Sequence, residues 1–301
     1  MNAIAMLGFQ ALWSPLFALF LFGILLMYYL LIGPLRGKFI ESERVSKKQL
    51  FCFTIGIIFL YAVSGSPIDV IGHILFSVHM TEMAVMFLVV PPLLLLGLPA
   101  WLLQTIVSHK VVGNVLRILT KPLFALFLFN GLLSMYHLPF IFDVVKQSQL
   151  LHSISLVVLF FTSFMMWWPV LNPLPSFQSL SDLQKIGYMF ANGLLLTPAC
   201  ALIIFASQPL YATYTNPQAF MRAMELCVPL GTLTSLGISG PSFFYGISPL
   251  EDQQAGGVIM KIMQEFVYIV VIGYVFSRWV KNEKKKEAEG FPTYVSENRG
   301  T

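Results

Sequence analysis

Residues 71–96 read IGHILFSVHMTEMAVMFLVVPPLLLL, an apolar stretch long enough to cross a membrane as a helix, which takes about 20 residues. Two imidazoles, from His73 and His79, and the carboxyl of Glu82 lie inside this stretch. Ionisable groups are costly within a bilayer, so those that occur there are candidates for function. The stretch therefore predicts a membrane helix and a site on that helix.

The remainder of the 301-residue chain has the same apolar character. Hydrophobic residues make up 57% of it and charged residues only 11%, with a mean hydropathy of +0.77. Soluble domains are about one quarter charged, so the composition excludes a soluble enzyme, a disordered protein and a nucleic-acid-binding protein. The three cysteines form no CxxC motif, which indicates neither a disulfide scaffold nor a structural zinc site.

Seven apolar runs predict an all-α, polytopic membrane protein, a bundle of seven transmembrane helices over residues 1–280. The predicted spans are residues 12–32, 50–63, 71–96, 122–138, 151–170, 186–205 and 258–280. Residues 206–257, which are rich in proline and glycine, are expected to form a long outer loop with one short helix at 219–228. The charged tail, residues 281–301, is expected to be disordered and cytoplasmic.

The distribution of basic residues predicts the orientation. Placing residues 33–49 in the cytoplasm assigns 15 of the 18 Lys and Arg residues to that side, as the positive-inside rule requires. Lys146 and Arg222 remain outside, and Lys261 lies within the last span. The N-terminus is then outside and the C-terminus inside, in a multi-pass protein.

Histidine and methionine side chains accumulate in the predicted outer half of the bilayer, and together they suit copper, Cu(I) in particular. On one continuous helix, at about 100° per residue, His73 and Met80 would share a line, with Met83 and His79 next around the helix. His137 ends the fourth predicted span and His152 begins the fifth. The predicted metal ligands are His73, His79, Met80, Met83, His137 and His152.

Plainer interpretations stand beside this one. A histidine at a helix end is usually bonded to water or to a carbonyl, and methionine is usually packing material. Glu82 and Glu265 lie deep in their spans, but Lys261 precedes Glu265 by one turn and predicts a structural ion pair. Trp167 and Trp168 fit an aromatic belt at the membrane interface. Pro91 and Pro92 predict a hinge or a fixed bend in the third span.

Several motifs resemble the membrane-integral CtaG family of Gram-positive bacteria. They are residues 76–80 (FSVHM), 91–99 (PPLLLLGLP), 167–169 (WWP), 172–175 (NPLP), 209–211 (PLY) and 252–257 (DQQAGG). The similarity runs from about residue 10 to residue 280. Many relatives carry His-Met-x-x-His where this chain has His79-Met80-Thr81-Glu82-Met83, so the second histidine is Met83 here.

The resemblance implies a protein of the bacterial plasma membrane. It would be an assembly factor for a caa3-type cytochrome c oxidase and not itself an oxidase subunit. Relatives fused to copper-import domains imply a copper role, with copper-containing oxidase subunits and the lipid bilayer as partners. Under this hypothesis the bundle holds Cu(I), Asp252 lies at the mouth of the last span beside Gln253, and the outer loop docks on the oxidase. No bond is made or broken, so no enzyme is expected.

Two alternatives remain open from the sequence. Histidines from different helices, such as His79 and His152, could clamp a haem iron for haem delivery or electron transfer. Glu82 and Glu265 could instead serve as relay groups in a copper or proton transporter. A Soret absorption band would favour haem, and whole-cell copper accumulation would separate transport from assembly.

Overall fold

The computed structural model describes residues 7–39, 42–244 and 246–290, and this part of the chain is helical without strands. The helices are α1 (Phe9–Leu12), α2 (Pro15–Ile32), α3 (Lys47–Ser64), α4 (Pro67–Ile74), α5 (Phe76–Ala84), α6 (Val90–Gly97), α7 (Ala100–Val107), α8 (Lys110–Leu119), α9 (Pro122–Tyr136), α10 (Pro139–Lys146), α11 (Gln149–Leu171), α12 (Asp182–Ile204), α13 (Pro217–Met224), α14 (Leu230–Ser235) and α15 (Pro249–Gly290). Short 3₁₀ turns occupy Arg36–Lys38, Pro175–Phe177, Ala212–Tyr214 and Pro241–Phe243.

The predicted all-helical membrane architecture is confirmed. Among the described residues, six helices are long and apolar enough to cross a membrane, and the bent pair α8–α9 raises the number to seven if it counts as one span. The two members of that pair meet at 73°. Because α9 has only 15 residues, the fourth predicted span is the one whose crossing depends on its neighbour.

The third span lies at the centre of the bundle and is the most deeply buried of the candidate spans. It packs against α15 on one side and against α3 and α11 on others. Its α-helical part begins at Phe76 rather than at residue 71, because Leu75 is extended, with ψ of 125°, and ends α4. The expectation of one helix from residue 71 is therefore wrong, and His73 lies on a separate short helix.

The prolines at 91 and 92 do not interrupt this span, which continues from Phe76 to Gly97. A π-helical segment, Val85–Val89, precedes them, and the N–H of Val90 bonds to the carbonyl of Val85. Proline lacks an N–H, so a carbonyl four residues earlier loses its helical partner. The indole Nε1 of Trp167 donates to one such carbonyl, that of Phe87, at 3.0 Å. The freed carbonyl is therefore satisfied by a neighbouring helix, and Trp167 is buried in the bundle rather than placed in an aromatic belt.

Helices α3 and α6 approach so closely that their backbones touch at Gly97. A Cβ at this position would lie 2.6 Å from the backbone nitrogen of Phe53. The carbonyl of Gly97 accepts a hydrogen bond from the Tyr28 hydroxyl at 2.8 Å, and the ring of Tyr28 stacks on Phe53 at 3.8 Å. Glycine is thus required here for close packing of three spans.

Gly97→Ala is expected to destabilise the protein, because the new methyl group collides with backbone that cannot rotate away. Overpacking of this kind typically costs about 1–3 kcal/mol. The matched control is Gly273→Ala in α15, where a Cβ meets nothing within 4 Å. Thermal denaturation in detergent should show a lower midpoint for Gly97→Ala and none of that loss for Gly273→Ala. Equal midpoints would contradict the close approach.

The segment between α12 and α15, residues 205–248, is called the cap segment. It contains α13, close to the predicted short helix at 219–228, and in addition α14. The predicted outer loop ends too late, because α15 begins at Pro249, ahead of residue 257. The last helix also continues to Gly290, so residues 281–290 are helical rather than disordered. Residues 291–301 of the predicted tail lie outside the described residues.

Candidate functional site

Four of the five histidines gather at one end of the bundle, beneath the cap segment. The ring centroids of His79 and His137 lie 6.3 Å apart, and those of His73 and His152 lie 5.5 Å apart. All four side chains are buried. They come from α4, α5, the end of α9 and the start of α11. The structure therefore brings the four predicted imidazoles together as two pairs.

The pair formed by His79 and His137 lies in an aromatic enclosure. The ring of Phe142, on α10, contacts both imidazoles, at centroid distances of 5.3 Å from His79 and 6.2 Å from His137. The ring of Tyr136 lies 6.1 Å from that of His79. The Nδ1 atom of His137 is 2.8 Å from the carbonyl oxygen of Leu133, which can only accept a hydrogen bond, so Nε2 of His137 carries the lone pair.

The carboxyl of Glu82 lies beside this pair. Its Oε2 atom is 3.9 Å from Nδ1 of His79. The glycine at position 72 makes room for it, because a Cβ there would collide with the Glu82 carboxyl group. The carbonyl of Gly72 accepts from the Tyr214 hydroxyl at 2.7 Å, so the cap segment fixes the α4 backbone against which Glu82 rests.

Several buried polar atoms of this cluster have no hydrogen-bond partner within the part of the chain that the structure describes. They are His79 Nε2, Glu82 Oε1, Tyr136 OH, His137 Nε2 and His152 Nδ1. A buried polar atom without a partner costs about 1–3 kcal/mol, and native structures contain few of them. Their concentration in one place indicates a site whose bonding is completed by a further species.

A cation already lies among these groups. Lys146, at the end of α10, is 1% exposed, and its Nζ atom is 3.5 Å from Nε2 of His73. Nδ1 of His73 is 3.0 Å from the carbonyl oxygen of Asp69. Cys227 of the cap segment contributes a thiol 3.5 Å from Nδ1 and 3.7 Å from Nε2 of the same ring. The sequence did not point to Asp69, Lys146 or Cys227.

The pKa values of the titratable groups in this part of the site shift in the directions that burial dictates. Burial raises the pKa of Asp69 to about 6, although the Lys146 ammonium opposes the shift. Burial lowers the pKa of the Lys146 amine, and the carboxyls of Glu82 and Asp69 oppose that change. Burial and the neighbouring Asp69 raise the pKa of the Cys227 thiol, which is therefore protonated at neutral pH.

Asp252 anchors the helix that carries His79. Its carboxylate accepts from the backbone N–H of Phe76 at 2.6 Å and from the backbone and hydroxyl of Ser77. It thereby caps the first turn of α5 from α15, where the helix would otherwise expose unpaired N–H groups. Gln253 accepts from the N–H of Leu210 at 2.7 Å and holds the cap segment. Both side chains position the site from outside the imidazole cluster.

The cap segment is tied down over the site by further side chains. Asp143 of α10 accepts from the N–H groups of Ala212 and Thr213 and from the Thr213 hydroxyl. The hydroxyl of Tyr211 donates to the carbonyl of His137 at 2.9 Å. These hydrogen bonds attach the cap segment to the elements that carry the histidines, and the cap segment closes their end of the bundle.

The other predicted residues lie elsewhere. Met80 and Met83 are buried in the apolar core, and Met80 packs against α15 at Gly256. Glu265 forms the expected ion pair with Lys261, at 2.7 Å. Lys261 also donates a hydrogen bond to the hydroxyl of Thr197. The stripe that placed His73 in line with Met80 assumed one continuous helix, and the break at Leu75 removes that alignment.

The donor chemistry suits copper, whereas the geometry is that of separate pairs. Among the residues that the structure describes, no three His, Cys, Asp or Glu side chains are arranged to hold one metal ion. Imidazole and thiol groups are nevertheless the ligands that copper prefers. Cu(I) has a filled d shell and can be held by a pair of such ligands, so the pairs fit this ion better than one requiring an octahedral cage.

Fold and site together define a polytopic membrane protein with a buried polar cluster at one end of its bundle. The family model described as cytochrome c oxidase caa3 assembly factor (Caa3_CtaG) matches residues 26–282, and the chain belongs to this family. The resemblance drawn from the sequence motifs is thereby confirmed. A role in oxidase assembly, together with the apolar helices, fits a protein of a bacterial membrane.

One curated relative is an uncharacterized protein, ML1998, of Mycobacterium leprae (strain TN). It is 23% identical over 252 residues, which is 79% of this chain and 35% of that protein. The chain thus spans about a third of the length of this relative. No solved structure matches the chain.

Proposed function

We propose that this protein supports the assembly of a caa3-type cytochrome c oxidase by holding Cu(I) at the outer face of the plasma membrane and passing it to the copper-containing oxidase subunits. The family supplies the oxidase as the partner. The concentration of buried, unpartnered nitrogen and oxygen atoms at one end of the bundle supports a bound species.

The inner pair, His79 and His137, is best suited to hold the ion. Nε2 of each ring is buried and has no hydrogen-bond partner among the described residues, and the two tilted rings lie 6.3 Å apart, centroid to centroid. Glu82 supplies a carboxyl beside them, which can balance the charge of a cation in a poorly hydrated place. The protein catalyses no chemical change in a substrate in this role, since it stores and transfers an ion.

The positive-inside orientation supports placement of this end outside the cell. The cap segment closes the same end, and its surface is the part of the protein best placed to contact an oxidase domain there. The docking surface of the proposal is therefore residues 205–248.

Deletion of the gene is expected to leave the oxidase subunits in the membrane while oxidase activity falls, because the copper centres remain unfilled. Added copper should restore part of the activity, whereas added haem should not. The measurements are immunodetection of the subunits, oxidase turnover and metal analysis of the isolated oxidase.

A copper-replete, inactive oxidase in the deletion strain would contradict the proposal. A Soret band in the purified protein would support the haem alternative instead. Lower copper uptake by whole cells, with normal oxidase in copper-rich medium, would point to transport.

A further inference from the structure

The cap segment places a thiol against the imidazole pair formed by His73 and His152. Cys227 follows α13, and its Sγ atom lies 3.5 Å from Nδ1 and 3.7 Å from Nε2 of His73. The Oδ2 atom of Asp69 is 4.0 Å from the same sulfur. Cys227 is a free cysteine, and the residue as a whole is half-buried on the cap-segment side of the cluster.

The hydrogen bonds of His73 fix which nitrogen can bind a metal. Nδ1 faces the carbonyl oxygen of Asp69 at 3.0 Å. A carbonyl only accepts hydrogen bonds, so Nδ1 of a neutral ring carries the proton and Nε2 carries the lone pair. That lone pair faces the Nζ atom of Lys146 at 3.5 Å. The sulfur of Cys227 and the Nζ atom of Lys146 therefore both lie within 3.7 Å of Nε2 of His73.

A second observation at the same place points to a ligand. Nδ1 of His152 is buried and has no hydrogen-bond partner. Its ring lies 5.5 Å from that of His73, centroid to centroid. The thiol of Cys227 and the lone pair of His73 are the kind of donors that select Cu(I), and the unpartnered nitrogen belongs to the ring beside His73.

We propose that Cys227 and His73 are the entry ligands for Cu(I), and that the Lys146 ammonium occupies the cation position until the ion arrives. This inference rests on the proposed copper function and adds a ligand pair distinct from His79 and His137. On binding, the S–H bond of Cys227 breaks, an S–Cu bond forms, and the thiol proton is released to solvent. The Nε2 lone pair of His73 forms the second bond as Lys146 moves away, and copper stays Cu(I) throughout.

The chain offers matched controls because it has three cysteines. Cys52 lies on α3 and Cys200 is buried in α12, and neither is part of the cluster. The experiment is an anaerobic Cu(I) titration of the detergent-purified full chain against a chromogenic chelator. Cys227→Ser is expected to weaken binding by roughly 10- to 100-fold and to lose the ultraviolet absorption of a thiolate–Cu(I) bond. Cys52→Ser and Cys200→Ser should keep both.

A measurement on the unmodified chain guards against misfolding of the variant. Bound Cu(I) should protect Cys227 from alkylation and leave the alkylation of Cys52 unchanged, as mass spectrometry of peptides can show. Lys146→Met should bind Cu(I) at least as tightly as the parent, since the competing cation is gone. Weaker binding by this variant would show that Lys146 supports the site and would overturn its role as a placeholder.

The outcomes separate this inference from the proposed function. If the parent and Cys227→Ser bind Cu(I) equally and Cys227 is not protected, the entry pair is wrong, while the copper function stands. If the parent binds no Cu(I), both fail.

Discussion

Cells that carry His79→Gln together with His137→Gln are expected to lose most caa3 oxidase activity. Nε2 of both rings is buried without a partner, so the pair is the part of the site that most needs a bound ion. Glutamine retains polarity and approximate size but lacks the nitrogen lone pair that binds Cu(I). The purified double variant should bind Cu(I) roughly 100-fold more weakly or worse, given the effect of lesser changes around metal sites.

The matched control is His109→Gln. His109 immediately precedes α8 and lies outside the cluster. This variant should retain Cu(I) affinity and oxidase activity. The single variants His79→Gln and His137→Gln should each fall between the parent and the double variant. A double variant with normal affinity and normal oxidase activity would remove the inner pair from the proposal.

The loss must be separated from a failure to fold. The rings of His79 and His137 pack against the ring of Phe142, so replacing these histidines also alters packing. The thermal midpoint in detergent reports that effect directly. Normal accumulation in the membrane with lost copper binding identifies ligands, whereas loss of the protein itself identifies packing residues.

The spans could be predicted from the sequence because a bilayer demands long apolar runs, and these are visible without tertiary information. The position of the histidines at one end of the bundle could be predicted once these spans were known. Once alternate helices run in opposite directions, the start of α11 and the end of α9 share one end of the bundle. The sequence thus predicted which end of each helix holds an imidazole.

The break at Leu75 could not be predicted, because leucine favours helix and no glycine or proline marks the position. The break depends on Asp252, 176 residues away from Phe76 in sequence, whose carboxylate replaces the helical partners of the first turn of α5. Long-range capping leaves no local pattern. The predicted alignment of His73 with Met80 failed for this reason.

The cation in the site was also invisible to sequence reasoning. Lys146 was assigned to the outer surface, as an isolated lysine between two spans would suggest, yet it is 1% exposed. Burial of lysine is tolerated only near compensating groups. Here those are the imidazole of His73 and the neighbouring carboxyls of Asp69 and Glu82. Asp69 and His73 are four residues apart in the sequence. This spacing was the one local indication that groups able to compensate a buried lysine lie together.

Asp252→Ala is expected to destabilise the protein and to disorganise the site at once. The substitution leaves the buried N–H of Phe76 and the N–H and hydroxyl of Ser77 without their acceptor. An unpaired buried donor costs about 1–3 kcal/mol. Ser77 is partly exposed, so water compensates part of its loss, and the free energy of unfolding should fall by roughly 2–5 kcal/mol. The first turn of α5 would then shift, and His79 and Glu82 would shift with it.

Asp252→Asn distinguishes the cap from a metal ligand. Asparagine keeps a carbonyl oxygen that can accept one of these bonds but loses the charge and the second acceptor. Its thermal midpoint should lie between those of the parent and Asp252→Ala. The control is Glu251→Ala, since this neighbouring carboxylate is exposed and, among the described residues, bonds only to Ser248. That variant should change both the midpoint and Cu(I) affinity much less than Asp252→Ala.

The test compares the order of the thermal midpoints with the order of the Cu(I) affinities across the three proteins. If Asp252 acts through the position of α5, Cu(I) affinity should fall in the same order as the thermal midpoint, from parent to Asp252→Asn to Asp252→Ala. If the carboxylate bound the ion itself, Asp252→Asn would lose affinity while retaining most of its stability. The second pattern would move Asp252 from a capping residue into the ligand set.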